Sequence, residues 1–188
     1  MKIFKIVTDR EERIRLRSKE IPVPINDEIK ETLKDMTEYL KMSQDEGFRK
    51  KHPGVTEGVG LAAPQIGMNI RMLAIFYEER DEKGDVKRTI IHNLVNPKII
   101  ASSMKLCYLE GGEGCLSVPE KHEGKVYRNF RITVKAFNAI KNQEDTIEAV
   151  GLEAIVLQHE IDHLNGILYY DHFVDKIDEG LKKTAIKI

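Results

Sequence analysis

The first clear pattern of apolar and polar positions predicts an amphipathic helix near the N-terminus. Four apolar residues recur at spacings of four, three and four: Ile29, Leu33, Met36 and Leu40. This spacing places them on one face of a helix, for which Asn26 or Asp27 is a good N-cap. The pattern ends at about Gln44, and the polar stretch 49–54, which contains Pro53, predicts a loop.

Beyond that loop, short apolar runs separated by polar turns predict a meander of antiparallel strands. The predicted strands cover 71–77, 86–91, 98–106, 126–137 and 146–149.

A second helix is predicted over Leu152–Leu164, followed by a typical helix stop at Asn165 and Gly166. It is apolar on most faces, so it belongs in the core, where its polar side chains must be hydrogen-bonded or bound to a ligand. The predicted fold class is α+β, with antiparallel strands packed around this central buried helix and the N-terminal helix beside them.

Composition narrows the class of protein. The 188 residues carry 30 basic and 31 acidic side chains, for a net charge of -1, so we expect one domain over 1–188 and no nucleic-acid specificity. No apolar run approaches the roughly 18 residues of a membrane span, and the first residues do not resemble a signal peptide. We therefore expect a cytosolic protein whose two cysteines remain thiols.

The buried helix carries the pattern H-E-x-x-H. His159 and His163 lie one turn apart on one helix face and can share a metal ion, with Glu160 beside them as a proton carrier. Two core histidines satisfied by their neighbours are the alternative interpretation.

A catalytic metal site needs a third protein ligand. The downstream candidates, where a metalloprotease would place it, are Asp171, His172 and Asp175. The upstream candidate is Cys115, among glycines that permit close approach to a ligand. Cys107 lies in a stretch of alternating apolar and polar residues without glycines, and this pattern favours a packing role for it.

The segment GVGLAAPQ (58–65) fits a dinucleotide-binding fingerprint only superficially, because a polar loop precedes it where a strand is required. The alternative is a glycine-walled segment that brings backbone amides and the Gln65 carboxamide against a ligand.

Three segments in this order, GVGLAAPQ (58–65), EGCLS (113–117) and QHEIDH (158–163), resemble the signature motifs of the peptide deformylases. The long stretch before the first motif and the absence of a clear long C-terminal helix resemble the type 2 enzymes of Gram-positive bacteria and mycoplasmas. Because type 1 members contact the ribosome through that helix, any ribosome contact here is expected to be transient.

The resemblance implies a fold, a reaction and a cofactor. The metal ligands would be Cys115, His159 and His163 with water as the fourth, and the ion Fe(II), for which zinc, nickel or cobalt can substitute. The substrate would be an N-formylmethionyl nascent peptide, and we expect the protein to act as a monomer.

The resemblance also implies roles for the remaining motif residues. Glu160 would move the proton, Gln65 and the Leu116 N–H would hold the developing oxyanion, and Gly60 would contact the substrate backbone.

The methionine pocket is predicted from helix geometry. Ile155 and Val156 precede His159 by four and three residues, on the same side of the helix, and Val59 is a further candidate. Leu152, one turn earlier, is at least as compatible with core packing. Two other functional classes remain open: the metalloprotease, and a non-enzymatic peptide-binding module with a closed four-ligand metal site.

Overall fold

The computed structural model describes residues 2–174 and 177–188. The strands of this part of the chain are β1 (Gly60–Ala62), β2 (Met72–Arg80), β3 (Val86–Ser102), β4 (Leu106–Tyr108), β5 (Arg128–Asn129), β6 (Arg131–Asn138), β7 (Gln143–Val150) and β8 (Ile186–Lys187). Its α-helices are α1 (Asp27–Ser43), α2 (Glu46–Lys51), α3 (Leu152–Leu164) and α4 (Glu179–Lys183).

A five-stranded antiparallel sheet has the order β1-β2-β3-β6-β7 and separates two helices. Along β2, Ala74 and Phe76 join the core cluster that contains α1, whereas Leu73 and Ile75 join the cluster that contains α3. Successive side chains of a strand point to opposite faces, so β2 is hydrophobic at every position from Met72 to Tyr77, where both of its faces are covered. The mixed α+β class with an antiparallel sheet is confirmed.

Both predicted long helices are present. Helix α1 begins after Asn26, whose side chain accepts a hydrogen bond of 2.9 Å from the Ile29 N–H, as expected of an N-cap. Helix α3 ends at the predicted stop, where Gly166 has φ of +75° and an added Cβ would lie 2.1 Å from the Arg15 carbonyl oxygen. Glycine is required there both for the backbone angle and for the space.

The predictions of four other elements were wrong in detail. The strands predicted over 86–91 and 98–106 are one 17-residue strand, β3. It continues through Asn96, whose φ is +52°, because a register shift between Val95 and Lys98 accommodates the irregular backbone. The strand predicted over 126–137 is β5 and β6, which belong to different sheets. The loop predicted over 49–54 contains the last turn of α2. The side chain of Asp45, the N-cap of this helix, accepts a hydrogen bond from the Phe48 N–H.

A second, three-stranded sheet has the order β5-β4-β8. The C-terminal strand β8 runs parallel to β4, and the Glu110 N–H donates to the Ile188 carbonyl over 3.1 Å. The chain end therefore packs beside the segment that leads into EGCLS. None of the helices in the described residues has the length and apolar character needed to cross a membrane.

Candidate metal centre

Cys115, His159 and His163 lie together. Their ligand atoms all fall within 4.8 Å of one another, and the Cys115 Sγ lies 3.2 Å from the His163 Nε2. Helix α3 supplies both histidines from consecutive turns, with ring centroids 5.0 Å apart. Cys115 and His163, which are 48 positions apart in the chain, therefore lie in contact.

Cys115 is held by a tight turn and by two donors at its sulfur. The Val118 N–H donates to the Cys115 carbonyl over 3.1 Å. The thiol sulfur accepts from the Ser117 N–H at 3.4 Å and faces the Gln65 Nε2 at 3.7 Å. These contacts fix the position of the sulfur, the atom with which a cysteine binds a metal.

The surroundings of the two imidazoles suit a cation. His159 Nδ1 lies 2.8 Å from the Glu113 Oε2, which leaves Nε2 for the site, as in carboxylate–histidine–metal arrangements. Burial lowers the pKa of His163 well below its usual value, so the ring is neutral, as ligation requires. Burial also opposes charge on His159, but hydrogen bonds to Cys115 and Glu113 outweigh it and raise its pKa. One thiolate and two imidazoles are a donor set that divalent transition metals take.

Glu160 is a buried carboxylate beside these ligands. Its Oε2 has no hydrogen-bond partner within the described ranges, and burial raises its pKa to about 7. A group that titrates near neutrality is suited to carry a proton in either direction. Its Oε1 packs against Gly60, where an added Cβ would lie only 2.2 Å away, so the glycine leaves the space that this carboxylate occupies.

Gln65 and Leu116 present N–H groups at the same place. The Gln65 Oε1 accepts from the Ala62 N–H at 2.7 Å, which turns its Nε2 towards Cys115 and the Ser117 hydroxyl. No acceptor in the described part of the chain is hydrogen-bonded to the Leu116 N–H. The Leu116 side chain packs on Gly58, where an added Cβ would meet its Cδ1 at 2.9 Å.

A cavity of about 470 Å³ opens beside these groups. Cys115, His159 and Glu160 line it, whereas His163 lies behind the lining and is only 1% exposed. The three predicted pocket residues, Val59, Ile155 and Val156, are all in its wall, as is Leu152, for which core packing was at least as compatible. Further lining residues that were not predicted for it include Leu109, Lys121 and Tyr169. This places an apolar wall next to the candidate metal ligands.

A buried ionic network behind the ligands was missed by the sequence analysis. The guanidinium of Arg128 donates to both Glu113 oxygens, at 2.7 and 2.9 Å, and to the Asp162 Oδ2 at 2.6 Å. Glu113 in turn holds His159. Burial opposes the charge on Glu113, but the hydrogen bonds from Arg128 and His159 outweigh it and lower its pKa to about 2. The position of Glu113 in EGCLS was the only signal for this network, since nothing marks Arg128 as inward-facing.

The downstream ligand candidates lie elsewhere. His172 Nε2 is 2.7 Å from the Asp162 Oδ2, and Asp171 binds Arg15 and the Leu168 N–H. Neither belongs to the group of candidate ligands. Asp175 lies outside the described residues.

The two cysteines differ as predicted. Both are free thiols, but Cys107 is fully buried in β4 and is not part of the ligand group. Burial raises its pKa to about 11, so it stays protonated and packs as a small apolar residue.

Comparisons with known proteins agree on one family. The profile of the polypeptide deformylase family matches residues 3–179. The peptide deformylase of Macrococcus caseolyticus is 45% identical over 185 residues, which cover 97% of this chain and 96% of that protein. A probable peptide deformylase from Synechococcus phage S-SSM7 is similar in structure, with a TM-score of 0.69 and 34% identity over 91% of this chain and all of that one.

A further similar structure is the Met-Ala-Ser-bound class I type b peptide deformylase of Acinetobacter baumannii. Its TM-score is 0.67 and its identity 25%, over 90% of this chain and 98% of that one.

Proposed function

The chain belongs to the peptide deformylase family, and we propose that it hydrolyses the N-terminal formyl group of formyl-methionyl nascent peptides, releasing formate and the free Met-peptide. The observation that carries this proposal is the meeting of Cys115, His159 and His163 beside an apolar cavity that Cys115, His159 and Glu160 line. The family match, over 3–179, supports residues 1–188 as one deformylase domain.

We propose that Cys115, His159 and His163 hold one ion per chain, Fe(II) in the cell, with zinc, nickel or cobalt as substitutes. The motif H-E-x-x-H on the buried helix α3 supplies the two imidazoles. When bound, the ion acts as a Lewis acid on the formyl carbonyl and makes water more acidic. The Glu113 carboxylate, fixed by Arg128, keeps the His159 ring in the orientation that ligation needs.

Glu160 moves the proton in this proposal. Its carboxylate takes a proton from the attacking water and returns it to the amine that leaves as the formyl C–N bond breaks. General acid–base transfer of this kind contributes about 10² to 10⁴ in rate. Burial without a hydrogen-bond partner for Oε2 supports the role, because the carboxylate is not committed to another contact.

Gln65 and Leu116 bind the oxygen of the formyl group as its negative charge develops. The Ala62 N–H fixes the Gln65 amide with its Nε2 turned towards Cys115, and the Leu116 N–H is available beside it. The loss of one such donor typically costs about 3 kcal/mol in the transition state.

The substrate is bound by one edge strand and by the apolar wall. Strand β1 pairs with β2 on one side and ends the five-stranded sheet, so the backbone of Gly60 can bind an extended peptide on its other side. The methionine side chain then lies against Ile155 and Val156 of α3 and against Val59. An unbranched thioether fits such a wall because it adapts to irregular apolar surfaces.

Further proposals concern the cellular setting. We propose that the protein works in the cytosol on chains as they are synthesised, where reducing conditions protect the Cys115 thiolate. Action as a monomer and a transient contact with the ribosome both stay predictions.

Formate release tests the reaction. The iron- or nickel-loaded protein should release formate from formyl-Met-Ala-Ser and leave acetyl-Met-Ala-Ser intact. The Glu160→Ala variant should keep its metal and lose turnover by about 10² or more. Cleavage of internal peptide bonds would instead favour a metalloprotease, and a fully loaded protein without formate release would refute the proposal.

A further inference from the structure

A second cavity, of about 440 Å³, shares no lining residue with the one at the metal centre. It lies between the segment 17–20, the start of β2, the middle of β3 and the C-terminal end of α3. Three of its lining side chains are cationic, Arg17, Arg71 and Lys98, against one carboxylate, Glu20. The wall therefore carries a formal excess of two positive charges.

Glu20, the one carboxylate of this wall, offsets only part of the charge of the three cations. In residues 2–174 and 177–188, none of Arg17, Arg71 and Lys98 forms an ion pair. Burial and the neighbouring Arg17 lower the pKa of Arg71, and the opposing effect of Glu20 is smaller. Like charges in a partly enclosed place are unfavourable unless an anion joins them.

The Arg71 guanidinium is fixed in place. Its Nη1 donates to the Leu164 carbonyl and to the Asn165 Oδ1, both over 3.0 Å, and its Nη2 donates to the Pro97 carbonyl over 3.3 Å. A cation anchored by neutral acceptors keeps its full charge and loses little side-chain freedom when it binds an anion.

We infer that this cavity binds a phosphate group, held by Arg17, Arg71 and Lys98. Arginine matches the geometry of phosphate oxygens, and lysine adds a point charge. Free phosphate and a phosphodiester present the same anionic oxygens, and the experiment distinguishes them.

The test follows backbone amide NMR signals while the zinc-loaded protein is titrated with inorganic phosphate. We expect saturable binding at one site, with shifts at the amides of residues 17–20, 96, 98 and 99. The double variant Arg17→Gln/Lys98→Gln should weaken binding by about tenfold or more, because it removes two charge-assisted contacts. Both side chains are exposed, so the variant should keep the fold, which its own amide spectrum reports.

The matched control is Lys87→Gln/Arg131→Gln, which makes the same charge change at two exposed strand positions outside the cavity. It should bind phosphate like the wild type. Equal weakening of phosphate binding in both double variants would overturn the inference. Shifts confined to 58–65 and 113–117, the segments at the metal centre, would also overturn it, and so would the absence of saturable binding. Titration with a dinucleoside monophosphate identifies the source: shifts at the same amides indicate a phosphodiester, and their absence indicates free phosphate.

Discussion

The contact between Gly60 and Glu160 provides a quantitative test of the proposed proton carrier. A Cβ at position 60 would lie 2.2 Å from the Glu160 Oε1, 2.7 Å from its Cδ and 2.8 Å from its Cγ. Carbon atoms in contact lie about 3.5 to 4.0 Å apart, so the carboxylate of a Gly60→Ala variant must move by roughly 1 Å. A misplacement of that size can cost about 10² in rate, or about 2.7 kcal/mol of transition-state stabilisation.

The assay is formate release by Gly60→Ala at full metal occupancy. We expect kcat to fall about 10²-fold while metal content stays at the wild-type level, because the three atoms nearest to the added Cβ all belong to Glu160 and none to a candidate metal ligand. Gly54→Ala is the control, since a Cβ there meets nothing within 4 Å. In a Glu160→Asp background the shorter side chain relieves the clash, so Gly60→Ala should cost less there, a non-additivity expected of residues in contact. Full activity of Gly60→Ala would refute this account of Gly60.

Three further predictions follow from the described contacts. Glu113→Gln should weaken metal retention by about 10- to 100-fold, measured by competition with a chelator. Because the folded pKa of Glu113 is about 2 against an ordinary 4.5, its stabilisation is complete above pH 4.5 and is lost as the pH falls towards 2. The metal-free wild type should therefore lose unfolding free energy more steeply over that range than Glu113→Gln, and equal slopes in urea unfolding would contradict this. Cys115→Ser should reduce metal content on purification and Cys107→Ser should not; the reverse result would assign the wrong thiol as ligand. Gly166→Ala should lower the free energy of unfolding by more than about 1 kcal/mol, because the added Cβ clashes with backbone and the positive φ is strained. In Gly84→Ala the added Cβ meets nothing within 4 Å, so the loss in the same unfolding assay should be smaller.

The helices and the candidate ligands could be predicted because their signals are local. Helix α3 has an uninterrupted apolar pattern with a stop at Gly166, and two histidines four residues apart on a helix always share a face. Cys115 was one of several third-ligand candidates on spacing alone, and the family resemblance selected it.

The remaining parts depend on contacts between distant segments. The sequence predicts two strands, over 86–91 and 98–106, yet β3 is continuous, because β2 pairs with it up to Val95 and β6 resumes pairing at Lys98. Arg128 lies 15 residues from Glu113 and 34 from Asp162, so no spacing rule connects them. The closeness of Gly60 to Glu160 likewise appears only when β1 and α3 pack together.

X-ray absorption at the zinc edge of the zinc-loaded protein reports whether Cys115, His159 and His163 together hold the ion on which the proposed hydrolysis depends. We expect one sulfur ligand at about 2.3 Å and two imidazole nitrogens at about 2.0 to 2.1 Å, with the sulfur lost in Cys115→Ser and kept in Cys107→Ser. A wild-type site without sulfur, or a sulfur that persists in Cys115→Ser, would contradict this expectation.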